Sequence, residues 1–272
     1  MSISRRLAPA VCGILATAAC STRSYATPQA SQVISYVPGG SASNGFQIPS
    51  AALGLPNPIS DPIFGNSVLT PFNPPYLNND IVIVGDGGQL TLKMSSAVPQ
   101  VAGPDIGVFV NNGLIDANYP AGQNLPTAAF FSNAPQAIVS VSQDGSTFIP
   151  ISVNPITFDS PSNYFTDLPN DPSFNTTGGS QVADFSKPFT QPLSTFNGLD
   201  WPATLAVLNG SAGGEWIDFG STGLLEVNYV RFEVPSGANY RMVVDSVTGV
   251  PEPSTVIGLA LGLASAALRR RR

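Results

Sequence analysis

What is missing narrows the chemistry first. The chain of 272 residues has no histidine, and its two cysteines, Cys12 and Cys20, lie near its start. Ser-His-Asp and Cys-His catalysis, histidine-ligated zinc and a pH switch near neutrality are therefore closed to it. Beyond Cys20 there is neither a disulfide nor a thiolate metal site. Carboxylates and amides remain. Asp86, Asp105, Asn111, Asn112 and Asp116 sit in or beside turns that follow or separate apolar runs, and hard oxygen ligands of this kind suit Ca²⁺. Asp and Asn also cap their own backbone in such turns, and the spacing is not that of an EF-hand loop. No cofactor is expected beyond a structural calcium.

Trp201, Trp216, Tyr229 and Tyr240 carry flat apolar faces that could stack on sugar rings. Trp216 and Tyr229 stand in strand-like runs and are expected in the core. Trp201, between Asp200 and Pro202 in a loop-rich stretch, is the better exposed of them and the candidate for a carbohydrate contact. Glycoside hydrolysis needs two carboxylates a fixed distance apart. With 13 Asp and 4 Glu some such pair is inevitable, so the count selects nothing. No nucleophile elbow, phosphate loop or dinucleotide fingerprint occurs. No catalytic residue is assigned, and an enzyme is not expected.

The charge excludes a further class. Between Thr27 and Gly249 the only cations are Lys93, Lys187, Arg231 and Arg241, against 16 acids, a net charge near −12. Such a surface repels phosphate backbones, so nucleic acid is not a partner. It suits divalent cations or a hydrated polysaccharide.

The elements that must position these groups read as strands. Charged residues make up only 10% of the chain, and Gly and Pro number 26 each, which favours strands and turns over helices. The stretch 27–79 is rich in Pro, Ser, Asn and Gly and should hold one or two strands in long loops. From Asp80 the runs Ile81–Val84, Gln89–Met94 and Ile106–Val110 follow, with Leu90, Leu92 and Met94 alternating toward one face. Asp144-Gly145 between 137–142 and 147–151 is a hairpin signal. Residues 154–202 read as loop, with a helix only near Trp201–Leu208. The strands 215–219, 224–234 and 240–247 complete the body, Val230, Phe232 and Val234 pointing inward. The expected fold is all-β, a single sandwich over 27–249.

Both ends carry transport chemistry. Met1–Ala26 has the form of a secretory signal peptide: Arg5 and Arg6, a mainly apolar stretch over 7–20, and small residues at Ser24 and Ala26 before a cut after Ala26. Ser4-Arg5-Arg6 hints at a twin-arginine signal and Thr17-Ala18-Ala19-Cys20 at a lipoprotein box. Neither pattern is complete, so general secretion is the default. At the other end come Pro251-Glu252-Pro253-Ser254, an uncharged apolar run over 256–268, and Arg269, Arg270, Arg271 and Arg272. The prolines keep the signature extended for a processing enzyme. Thirteen apolar residues give a helix of roughly 20 Å, short of the ~30 Å hydrocarbon core, so spanning needs the flanks. The arginines resist translocation.

Signature, apolar run and basic block together resemble the PEP-CTERM sorting signal of exopolysaccharide-producing Gram-negative bacteria. The resemblance implies processing by an exosortase, a membrane-embedded cysteine transpeptidase. It further implies a brief inner-membrane anchor and a destination at the cell surface, in a biofilm or in the exopolysaccharide matrix. The body resembles an extracellular β-domain family found in PEP-CTERM proteins, especially of planctomycete-like bacteria. The pieces that carry this are 51–54, Val68 to Pro75, Ile83 to Leu92, Gly103 to Asn112, the Asp144-Gly145 hairpin and Phe196 to Asp200. That likeness implies a galactose-binding-like jelly roll, with a location rather than a ligand.

Overall fold

A computed structural model of the chain describes residues 26–252, apart from 41, 43–44, 61–66 and 169. In chain order the strands are β1 (Ala30–Val37), β2 (Ile59–Ser60), β3 (Ser67–Val68), β4 (Val82–Val84), β5 (Gln89–Pro99), β6 (Ile106–Phe109) and β7 (Gln136–Ser142). They continue as β8 (Ile149–Pro150), β9 (Ile156–Thr157), β10 (Glu215–Ile217), β11 (Glu226–Glu233), β12 (Met242–Val244) and β13 (Ser246–Gly249). One α-helix, α1, spans Trp201–Leu208. The body is all-β in character, as its composition indicated, and every strand pair is antiparallel.

The largest sheet has the order β1-β5-β11-β7-β8, with β9 also paired to β7. Its register explains its core. Val33, Leu92, Val230 and Val141 stand side by side across four strands, and Tyr36, Leu90, Phe232 and Val139 form the next row. All but Val33 and Tyr36 on the edge strand are fully buried. A buried aliphatic or aromatic side chain contributes ~1.5–3 kcal/mol, so these rows hold the sheet. The opposite face is polar: Arg231 donates from Nε to Thr91 Oγ1 at 3.1 Å and lays its guanidinium 3.6 Å from the centroid of Phe148.

Smaller sheets close the far side. β10-β6-β13 forms a three-stranded sheet, and β12 pairs with β4. Ile106 and Val108 of β6, Trp216 of β10 and Val82 and Val244 of the β4–β12 pair join Leu90, Leu92 and Phe232 in one continuous apolar core. The run 240–247, expected as one strand, is two. The chain changes sheets at Asp245, whose amide donates to Phe109 O at 2.9 Å.

The hairpin β7–β8 turns where Asp144-Gly145 predicts it. Asp144 Oδ1 accepts the amides of Ser146 and Thr147, both at 2.8 Å, which holds its carboxyl below the usual carboxylate range. Gly145 has φ +78°, and a Cβ there would meet the Tyr229 ring at 2.9 Å.

Candidate functional site

The acidic and amide residues proposed for calcium are not gathered into one site. Asp105 is fully buried and spends its carboxylate on two backbone amides, Val101 at 2.7 Å and Phe219 at 3.1 Å; burial raises its pKa. Asp116 accepts four bonds, from the amides of Asn118, Gln123 and Gly122 and from Ser173 Oγ at 2.6 Å. Asn112 is buried and donates to Phe158 O. Asp86 accepts from the Gly237 amide at 2.5 Å. Asn111 shares only a cleft wall with Asp86. Among the described residues no three acids lie close enough together to hold a metal ion. The turn chemistry that these residue types also serve is what the fold uses at Asp105 and Asp116.

Trp201 is a correction. It opens α1, capped by Asp200, whose Oδ1 accepts the Ala203 amide at 3.0 Å. Its ring is only 3% exposed, packs edge-on against Phe72 and donates from Nε1 to Leu168 O at 2.9 Å. A ring so enclosed offers no face to a sugar, because Phe72 and the chain at Leu168 pack against it. Tyr229 is a second correction. Alternation along β11 sends Val230 and Phe232 inward and leaves Tyr229 half-buried on the other face, with Lys93 Nζ 5.8 Å from its centroid. Trp216 is buried, with Nε1 donating to Gly213 O at 3.0 Å. A Cβ on Gly107 would lie 2.8 Å from that indole, so the bare glycine makes room for it.

Of the four aromatics, Tyr240 is half-buried, packed in part against the core and beside an open cleft. It lines a cleft of about 720 Å³ together with Arg241, Asn239, Asn133, Gln136 and the pair Asp86 and Asn111. Arg241 stands out among the four described cations. Arg231 is bound to Thr91, Lys187 donates to Asn209 O, and Lys93 lies over Tyr229, whereas the Arg241 guanidinium has no partner among the described residues. Neither Arg241 nor Asn239 was singled out from the sequence as part of a site. The available signal was an aromatic flanked by an amide and by one of only four body cations.

One carboxyl is tuned toward neutrality. Glu215 is pushed up to about 7, chiefly by burial and then by the charge of neighbouring Asp159, while Ser160 Oγ donates to its Oε2 at 2.9 Å. A pKa matched to neutral pH is what a general acid needs. Glu215 and Asp159 line neither the cleft beside Tyr240 nor the one beside Asp245.

The two ends of the body meet at one edge. Gln29 bridges Thr248, and the Gly249 amide donates to Pro28 O at 2.8 Å. Val250 is buried and donates to Asp105 O at 2.9 Å; Pro251 is half-buried and Glu252 exposed. Ala26, the expected cleavage point, is exposed. The folded body therefore runs to Val250 with no linker before the signature.

Residues 249–272 match the PEP-CTERM protein-sorting motif. The PEP-CTERM signal implies an exported protein with a C-terminal membrane-anchoring sorting signal, processed by an exosortase. No curated protein matches the chain. Of the signal residues, Pro251 and Glu252 are described, and Pro253, Ser254 and Arg269 to Arg272 lie outside the described residues, as does the secretory leader before Ala26. Among the described residues no helix is long and apolar enough to cross a membrane. The apolar run 256–268 lies outside them.

Proposed function

We propose that this chain is a non-catalytic surface or exopolysaccharide-matrix protein. On this reading the general secretion machinery carries it across the inner membrane, its C-terminal run anchors it there, and an exosortase cuts it near Pro251-Glu252-Pro253. The body is read as a jelly-roll sandwich akin to the surface domains of planctomycete-type PEP-CTERM proteins. The observation that carries the proposal is the sorting motif placed directly after the last strand, β13. A cut within β13 would strip its pairing with β6, and a cut just before Val250 would lose the bond of its amide to Asp105 O, so on this reading processing falls after Val250. Changing Pro251, Glu252 and Pro253 together to alanine should leave the full-length chain in the inner-membrane fraction of the producing cell. Normal release of that variant would refute the proposal.

The cleft favours a second reading, a carbohydrate-binding module. Tyr240 supplies a stacking face, the amides supply hydrogen bonds, and the unpaired Arg241 would select an acidic sugar by charge-assisted contact. Retention on immobilised acidic polysaccharide, lost in Tyr240→Ala and in Arg241→Ala, would support it. Equal retention of both variants would dismiss it. The third reading, a carboxylate-dependent glycan hydrolase, would rest on Glu215, whose pKa is raised by burial, and on Asp159 beside it.

A further inference from the structure

Two carboxylates are buried together without a countercharge. Asp80 ends the loop before β4, and Asp245 stands where the chain leaves β12 for β13. The register Val82↔Val244 brings both acids to the same end of the β4–β12 pair. Each is 2% exposed, and in each the Oδ2 atom has no hydrogen-bond partner. The other oxygen of Asp80 accepts from Asn57 Nδ2 at 3.1 Å. Both acids open onto a cleft of about 360 Å³ whose wall also carries Asn57, Asn79 and Tyr164, and none of the four described cations lines it. Burial, and then the Asp80 charge, pushes the Asp245 carboxyl well above the usual carboxylate range.

Such a pair is costly as it stands. Two like charges in a low-dielectric setting repel, and each orphaned oxygen carries the desolvation penalty of an unmade bond. Buried charges persist when they are paired or ligate a metal. We propose that Asp80 and Asp245 bind a divalent cation, Ca²⁺ by its chemistry. Two carboxylates neutralise the ion, and the cleft has room for the waters that complete the six to eight oxygens calcium takes. Magnesium demands a near-ideal octahedron, which an irregular loop-and-crossover pair does not offer. Two charged ligands place the site in the weak, extracellular class with a dissociation constant of ~10⁻⁴–10⁻³ M. The ion would pin the β12–β13 crossover to the loop before β4. That crossover feeds β13, the strand from which the sorting signature emerges, so the body would tighten once it reaches a calcium-bearing medium.

The test uses the full chain in detergent micelles, stripped with a chelator and returned to 5 mM CaCl₂ at pH 7.5. Wild-type protein should unfold roughly 3–6 °C higher with calcium than with chelator. Asp245→Asn should lose that rise and, in chelator, unfold above wild type, because one of two repelling charges is gone. Asp80→Asn is the second variant should the first fail to fold. Calorimetric titration of the wild type with CaCl₂ reads binding without any variant. Absence of binding heat and of the thermal rise would overturn the proposal and leave a shared proton as the neutraliser. An undiminished rise in both variants would place calcium elsewhere and overturn it equally.

Discussion

The sheet β1-β5-β11-β7 and the loops over 110–135 and 158–200 are held in different ways. In the sheet the backbone ladder satisfies the polar groups, and the side chains of alternate residues only have to be apolar. In the loops the backbone bonds are scattered, and side chains share the work of satisfying the polar groups. Asp116 takes four donors, Asp167 takes Ser180 Oγ with the amides of Ser180 and Gln181, Asn197 accepts the Ala128 amide, and Asn124 donates to Thr204 Oγ1 and Leu199 O. The scarce acids of this chain are therefore spent largely on holding loops. That explains why a set of Asp and Asn residues chosen for calcium dispersed on folding.

The comparison can be broken by substitution. Phe232→Ala, in the innermost row of the sheet, should cost ~3–5 kcal/mol by chemical denaturation, since it loses burial and leaves a cavity. Asp116→Ala should cost less, ~2–3 kcal/mol, because four donors lose one acceptor but water can reach some of them. Its loss should show as faster hydrogen exchange confined to residues around 116–124, where Phe232→Ala would loosen the whole sheet. A near-zero effect at Asp116 would mean that the loops are held by packing rather than by caps.

A pH series sharpens the contrast further. Glu215 is raised to about 7 in the fold from its ordinary value of 4.5. Its contribution is thus fully present below about pH 4.5 and is lost as pH rises through 7. Stability should fall by ~1–2 kcal/mol between pH 5 and 8, and Glu215→Gln should flatten that fall. The smallest effect expected is at the hairpin. Gly145→Ala meets both the positive φ and the Tyr229 ring, and a loss of ~1 kcal/mol is expected, with the β7–β8 pair fraying first.

Legibility followed the same division. The strands of the large sheet could be read from alternation, and α1 from Trp201, Leu205 and Leu208 at helical spacing, since both signals are local. The strand break at Asp245 was not read, because apolar residues on both sides mask a change of sheet. Yet an acid inside the apolar run 242–250 was itself a sign of something buried and charged. Trp201 misled for the converse reason. Its polar and proline neighbours suggested exposure, but burial there is decided by Phe72 and Leu168, more than thirty residues away in sequence. The sorting signal needed no fold at all, since an extended signature, an apolar run and a basic block act as sequence.

The central claim is that a folded β body is delivered by its ends and then loses them. Intact-mass spectrometry of the chain recovered from the native cell envelope tests it most directly. The account predicts a first residue of Thr27 and a last residue at or just after Pro251, with the apolar run and arginines gone. A mass that includes Arg272, or a C-terminus before Val250, would contradict it.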